Sequence, residues 1–219
     1  MWDNITNFRR KMNAGQLCVG PAISFSDPAV SETLVGCADF LWLDLEHTPM
    51  SLEAMHAHIL ATRGSGVPGL VRVPTSDVGM IKRVLDTGAE GVIVPQVRSA
   101  DEVRQVAAAC RYAPLGDRGF GPRRSCDFGR RPLADYLAES NEHLFVAVQI
   151  EHADALANLD AILAVDGIDS VVIGPYDLSS SLGHPGEIDH PRVTEAVESI
   201  VKRARQAGRY VGMGMFPDV

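Results

Sequence analysis

Residues 144–152 read Leu-Phe-Val-Ala-Val-Gln-Ile-Glu-His. An unbroken apolar run is closed by polar side chains. Apolar continuity over this length is what a strand buried on both faces of a parallel sheet looks like. Alternation puts Phe145, Ala147, Gln149 and Glu151 on one face of that strand. Glu151 then stands at the strand's carboxyl end. A carboxylate there is costly unless it reaches water or a cation.

The same pattern recurs outward in both directions. Candidate strands are Leu17–Phe25, Phe40–Leu45, Gly69–Val73, Gly91–Val97, Leu144–Ile150, Ser170–Ile173 and Tyr210–Met215. Amphipathic helical stretches lie between them, at Ala29–Gly36, Leu52–Arg63, Val78–Thr87, Ala100–Cys110, Ala153–Val165 and Val193–Ala207. Strand–helix alternation predicts parallel βαβ units. Each strand runs into a polar cluster, such as Glu46-His47, Gln96, Glu151-His152 and Tyr176-Asp177. Carboxyl ends of strands carry the chemistry in α/β folds. No glycine-rich phosphate loop follows any strand, which argues against a nucleotide-binding open sheet. The expected fold is α/β, a TIM-type (β/α)8 barrel in one domain over residues 1–219. Its last βα unit is expected to lie beyond this sequence, because Phe216-Pro-Asp-Val219 follows the seventh strand directly; an open sheet is the alternative.

Composition narrows the function. Of 219 residues, 46% are apolar and 22% charged, as expected for a globular chain with a real core. The net charge of -8 has the wrong sign for nucleic acid. No apolar run approaches membrane-spanning length, and no basic-then-apolar leader opens the chain. Cys18, Cys37, Cys110 and Cys126 lack metal-ligand spacing and read as free thiols. A cytoplasmic location is expected. Residues Arg111–Arg131 break the rhythm with a long Gly-, Pro- and Arg-rich connection, either a solvated excursion or a lid or subunit-packing arm.

Several residues are candidates for chemistry. Asp177 follows Gly174-Pro-Tyr176, so Glu151 and Asp177 come from neighbouring strand ends. Together they suit one hard divalent cation, Mg²⁺ or Mn²⁺, better than zinc; the alternative is two solvated loop carboxylates, with Asp177 capping a turn. His47, beside Asp44 and Glu46, reads as an acid/base group or as a surface cap. Arg72, inside the apolar stretch Leu70–Pro74, needs a partner: a substrate carboxylate held by its fork, or a neighbouring Asp or Glu. Lysines occur only at 11, 82 and 202, none on a candidate strand. Schiff-base chemistry, which needs a desolvated lysine, is closed.

In combination, the segments Asp39–His47, Val71–Pro74, Gly88–Gln96, Arg111–Pro114 with Arg118-Gly119, Val148–Glu151 and Ile173–Ser179 resemble the HpcH/HpaI family of class II pyruvate aldolases. They cover nearly the whole chain. The resemblance implies Glu151 and Asp177 as metal ligands for Mg²⁺ or Mn²⁺, with Co²⁺ a further candidate. It implies that Gln149 and Arg72 contact the oxo acid, with backbone amides near Tyr176 and Asp177. It makes His47, oriented by Asp44, the acid/base, and Asp86 a supporting acidic position. Tyr176 departs from the small residue other members carry. The implied reaction cleaves 4-hydroxy-2-oxo acids to pyruvate and an aldehyde in a homo-oligomer, a hexamer or trimer of dimers. A citrate-lyase-like acyl-CoA lyase and a non-catalytic oxo-acid-binding barrel are the alternatives.

Overall fold

A computed structural model describes residues 2–214. Seven strands form: β1 (Ala22–Ile23), β2 (Leu41–Asp44), β3 (Gly69–Arg72), β4 (Gly91–Val94), β5 (Phe145–Ile150), β6 (Ser170–Ile173) and β7 (Tyr210–Met213). The helices are α1 (Asp3–Asn13), α2 (Ala29–Leu34), α3 (Leu52–Ala61), α4 (Val78–Asp86), α5 (Ala100–Cys110), α6 (Leu133–His143), α7 (Ala153–Ala157), α8 (Leu159–Leu163), α9 (Pro175–Ser181) and α10 (Pro191–Gln206). β4, β5 and β6 are buried at every residue, the physical reason their sequences are uninterruptedly apolar. The paired strands run parallel, so the fold class is α/β. An eighth strand is not among the described residues, and Met215, expected to end the last strand, lies outside them.

By its contacts the chain divides into two compact units, each drawn from two stretches of sequence. The first comprises residues 2–93 and 108–145. In it β1, β2, β3 and β4 pair in chain order. Phe8 of α1 packs against Phe40 and Phe145, with ring centroids 5.4 and 5.7 Å apart. His58 is fully buried yet satisfied: Nδ1 meets the Ser31 hydroxyl at 2.7 Å and Nε2 the Phe25 carbonyl at 2.9 Å. A carbonyl only accepts, so Nε2 carries the proton and Ser31 donates to Nδ1. Glu90, just before β4, is also buried. Its Oε2 accepts the Ile5 N–H at 2.9 Å, in the first turn of α1, where Trp2 provides no side-chain cap. Glu90 thus caps α1 from far along the sequence.

The second unit comprises residues 94–107 and 146–214. Here β5, β6 and β7 pair in chain order. Leu159, Ile162, Leu178, Val193 and Ile200 are fully buried. Arg209 spreads its guanidinium over the carbonyls of Leu163, Val165 and Ile168, satisfying acceptors at the end of α8.

Two expectations need correction. Leu17–Phe25 forms only the two-residue β1; Leu17 and Phe25 are 84% and 67% exposed. Pro21 has no N–H to give a ladder, and Gly20 lies where a Cβ would stand 2.2 Å from the Phe40 carbonyl oxygen. Second, Ala153–Val165 is two short helices, α7 and α8, broken at Asn158, whose side-chain amide donates to the Arg98 carbonyl. The Arg111–Arg131 connection, open between a solvated excursion and a lid or subunit-packing arm, mixes exposed residues such as Leu115, Phe120 and Phe128 with packed ones. Arg118 is 5% exposed, pairs with Asp86 at 2.8 Å and lies over the Tyr112 ring. Tyr112, Cys126 and Tyr136 form a small core beneath it. Three further helices, α1, α6 and α9, lie outside the expected helical stretches. None of the four cysteines is in a disulfide. Among the described residues, no helix is long and apolar enough to cross a membrane.

Burial pushes the Glu90 carboxyl up to about 7, against the opposing pull of the Ile5 N–H. A raised carboxyl favours the protonated fold, so its stabilising contribution is present below the unfolded value near 4.5 and is lost as pH rises through 7. The melting temperature of the wild type minus that of Glu90→Gln should therefore fall as pH is raised from 5 to 8. A difference that stays constant across this window would overturn the assignment.

Candidate functional site

The site residues fall at strand ends, in two groups. In the first unit, register sets Asp44 beside Arg72, each the last residue of its strand. Their side chains meet in a two-pronged pair: Arg72 Nε donates to Asp44 Oδ1 at 2.9 Å and Nη2 to Oδ2 at 2.7 Å. Nη1 reaches Glu46 Oε2 at 3.0 Å. The guanidinium lies 5.1 Å from the centre of the Trp42 ring. A bidentate fork of this kind is geometrically demanding and specific to arginine. Burial acts to raise the Asp44 carboxyl, but Arg72 and the backbone donors outweigh it and hold Asp44 below the usual carboxylate range.

His47 sits on the turn after β2, with its side chain 65% exposed. The expectation that Asp44 orients its ring is not met. Asp44 Oδ1 instead accepts the backbone N–H groups of Glu46 and His47 at 3.0 and 3.4 Å. The imidazole Nε2 faces Glu46 Oε2 at 3.6 Å. Asp44 shapes the turn, and Glu46 is the neighbour of the ring. Asp86, last in α4, is paired with Arg118 in the same unit.

In the second unit, β5–β6 register sets Gln149 opposite Val172 and Ile150 opposite Ile173. The next step brings Glu151 beside Gly174. A Cβ at 174 would stand 2.4 Å from Glu151 Oε2, so this position takes only glycine if Glu151 is to keep its place. Glu151 is 2% exposed. Gln149 Nε2 donates to Oε2 at 2.7 Å, and the Gln96 backbone N–H donates to Oε1 at 2.7 Å. Gln149 Oε1 is buried with no hydrogen-bond partner. Gly174-Pro175 then opens α9, with Pro175 at its first position and Asp177 exposed in its first turn. Tyr176 is 39% exposed, and its carbonyl accepts from the Ser179 and Ser180 hydroxyls.

Glu151, Asp177 and the unpartnered Gln149 carbonyl are all oxygen donors, the preference of Mg²⁺ and Mn²⁺. A carboxylate this far from solvent keeps its charge only where hydrogen-bond donors or a cation compensate it. Lys11, Lys82 and Lys202 lie on α1, α4 and α10, and none is on a strand.

A separate trio, His184, Glu187 and His190, brings its ligand atoms within 4.8 Å of one another. Its imidazoles stack 3.5 Å apart at 17°, so a shared cation would lie outside both ring planes. His190 Nδ1 already accepts the Arg192 N–H as the cap of α10. The trio builds the entry to a helix.

The chain as a whole is similar to known proteins. The sequence profile of HpcH/HpaI aldolase/citrate lyase matches residues 24–216. The chain belongs to the HpcH/HpaI family. It is 40% identical over 215 residues to the 4-hydroxy-2-oxovalerate aldolase of Rhodococcus jostii, covering 97% of this chain and 83% of the relative. It is 38% identical to the hydroxypyruvate/pyruvate aldolase of Roseovarius nubinhibens, covering 94% and 80%. The crystal structure of an HpcH/HpaI aldolase from Desulfitobacterium hafniense superposes with a TM-score of 0.90 at 34% identity, covering 96% of this chain and 82% of that one. These relatives are named aldolases, and the chain is a carbon–carbon lyase. The family's class II aldolases depend on a divalent metal.

Asp44→Asn keeps the volume of the Arg72 partner but removes its charge. The fold should lose about 2 kcal/mol, the usual scale for a hydrogen bond to a charged group. Urea unfolding measures this; a loss below about 0.5 kcal/mol, the scale of an ordinary surface substitution, would show that the fork does not hold the strand ends together.

Proposed function

We propose that the chain is a divalent-metal-dependent aldolase that cleaves a 4-hydroxy-2-oxo acid to pyruvate and an aldehyde, and runs the reverse addition. The observation that carries this reading is the buried Glu151 carboxylate with Gln149 Oε1 unpartnered beside it. Family membership adds the reaction class.

Glu151 and Asp177 would hold Mg²⁺ or Mn²⁺, which when bound polarises the 2-oxo group as a Lewis acid. The Gln149 amide is a neutral acceptor for a water or hydroxyl on the substrate. Arg72, its fork already fixed by Asp44 and Glu46, keeps N–H bonds for a carboxylate oxygen and for the charge that grows on the 2-oxygen. In cleavage, His47 takes the 4-hydroxyl proton through water, the C3–C4 bond breaks, and its electron pair passes into the pyruvate enolate. The 4-carbon leaves as an aldehyde, and a proton returned to C3 completes pyruvate. Glu46, 3.6 Å from the His47 ring, stabilises the charged imidazole. Asp86 acts at one remove, through Arg118. The enzyme in this reading is a cytoplasmic homo-oligomer.

Three measurements test the reading. Treatment with EDTA should abolish cleavage, and Mg²⁺ or Mn²⁺ should restore it; full activity in the chelator sinks the metal mechanism. Glu151→Gln should lower kcat by roughly 100-fold or more, since a metal site supplies several kcal/mol and each 1.36 kcal/mol is tenfold. In deuterated water the wild type should exchange the methyl protons of pyruvate in a metal-dependent way, which a mere binder would not do. Turnover only with a CoA thioester would instead place the chain on the citrate-lyase side of its family.

A further inference from the structure

Gln96 follows β4 and Pro95 and has φ +58°, in the left-handed region that side chains other than glycine rarely adopt. Its side chain points into solvent, while its neighbours Pro95 and Val97 are buried. An exposed glutamine needs no such backbone for its own sake. Strain at a non-glycine residue marks a place where the surroundings demand a particular main-chain direction. The demand here is visible: the left-handed turn aims the Gln96 N–H at Glu151 Oε1, 2.7 Å away. The other oxygen of Glu151 is held by Gln149 Nε2 at 2.7 Å and backed by Gly174, where no side chain fits. The carboxylate is therefore fixed from two directions, and its plane and the remaining lone pairs of both oxygens are set before any cation arrives. Gln149 is the side-chain half of this clamp, and Gln96 is the main-chain half.

Given Glu151 as a cation ligand, the reading on which this depends, we infer that Gln96 is a positioning residue for the metal site. It acts through its backbone conformation, so the identity of its side chain matters only through the φ it permits. Glycine and asparagine tolerate the left-handed region; a β-branched residue does not. The proposal thus separates two properties that a side-chain role would keep together: removing the glutamine amide is harmless, and keeping a side chain of the wrong shape is damaging.

The test is a Mn²⁺ titration of the purified full chain, with free Mn²⁺ followed by electron paramagnetic resonance and the bound-ion spectrum recorded alongside. Wild type, Gln96→Gly, Gln96→Asn, Gln96→Val and Glu151→Gln are compared. Gln96→Gly and Gln96→Asn should bind within about twofold of wild type and give its bound-ion spectrum. Gln96→Val should bind at least about tenfold more weakly, with an altered spectrum, because a turned Glu151 changes the ligand field. If Gln96→Val does not fold, the glycine and asparagine variants still decide: loss of affinity in both shows that the side chain acts, and overturns the proposal. Wild-type affinity and spectrum in a folded Gln96→Val also overturn it, provided Glu151→Gln is weakened. Undiminished binding by Glu151→Gln overturns the ligand assignment itself, and this inference with it.

Discussion

A carboxylate withdrawn from water has to be compensated locally, by donors and by positive charge. Glu151 is such a group at 2% exposure, and the second unit is organised around it. The alternation of β5 places Gln149 on its face. The β5–β6 register places Gly174 at its side, and no larger residue leaves it room. The segment after β4 bends into the left-handed region and presents an amide to it. Each of these is an unremarkable element of a parallel sheet until the charge is considered; then each has a reason.

The first unit solves the converse problem. Arg72 is a cation at the end of an apolar strand, and register sets a carboxylate next to it. Asp44 takes two of its donors and Glu46 a third. Aromatic area from Trp42 covers one face of the fork. A charged group at the mouth of a strand is thus supported in both units by the residue two positions away or one strand across, which is the geometry that parallel pairing imposes.

Much of this was legible in sequence because buried parallel strands leave a strong trace: apolar without interruption, then abruptly polar. Glu151, Asp177, Arg72 and Asp44 all announce themselves at that transition. β1 does not follow the rule, since Leu17 and Phe25 are apolar but exposed, and hydropathy cannot distinguish a strand from an apolar surface. Gln96 was visible only as a polar residue after a strand, because residue type does not encode a left-handed φ in a glutamine. The partner of the His47 ring was misread for a related reason: Asp44 and Glu46 share a face, and the choice between them turns on backbone hydrogen bonds in a four-residue turn. Asp86 reads as an acidic residue near a helix end, and only the folded chain shows that Arg118, from the long connection, claims it.

The doubly held Arg72 has a thermodynamic consequence. A free arginine side chain carries about 2 kcal/mol of rotamer entropy, most of which a flexible fork would surrender on meeting an anion. Here Asp44, Glu46 and Trp42 have already frozen it. The disorder is given up once, at folding, by a chain that also gains the ion pair. An anion that docks later finds a rigid receptor and loses only its own freedom, so the remaining N–H bonds translate into affinity with little conformational discount.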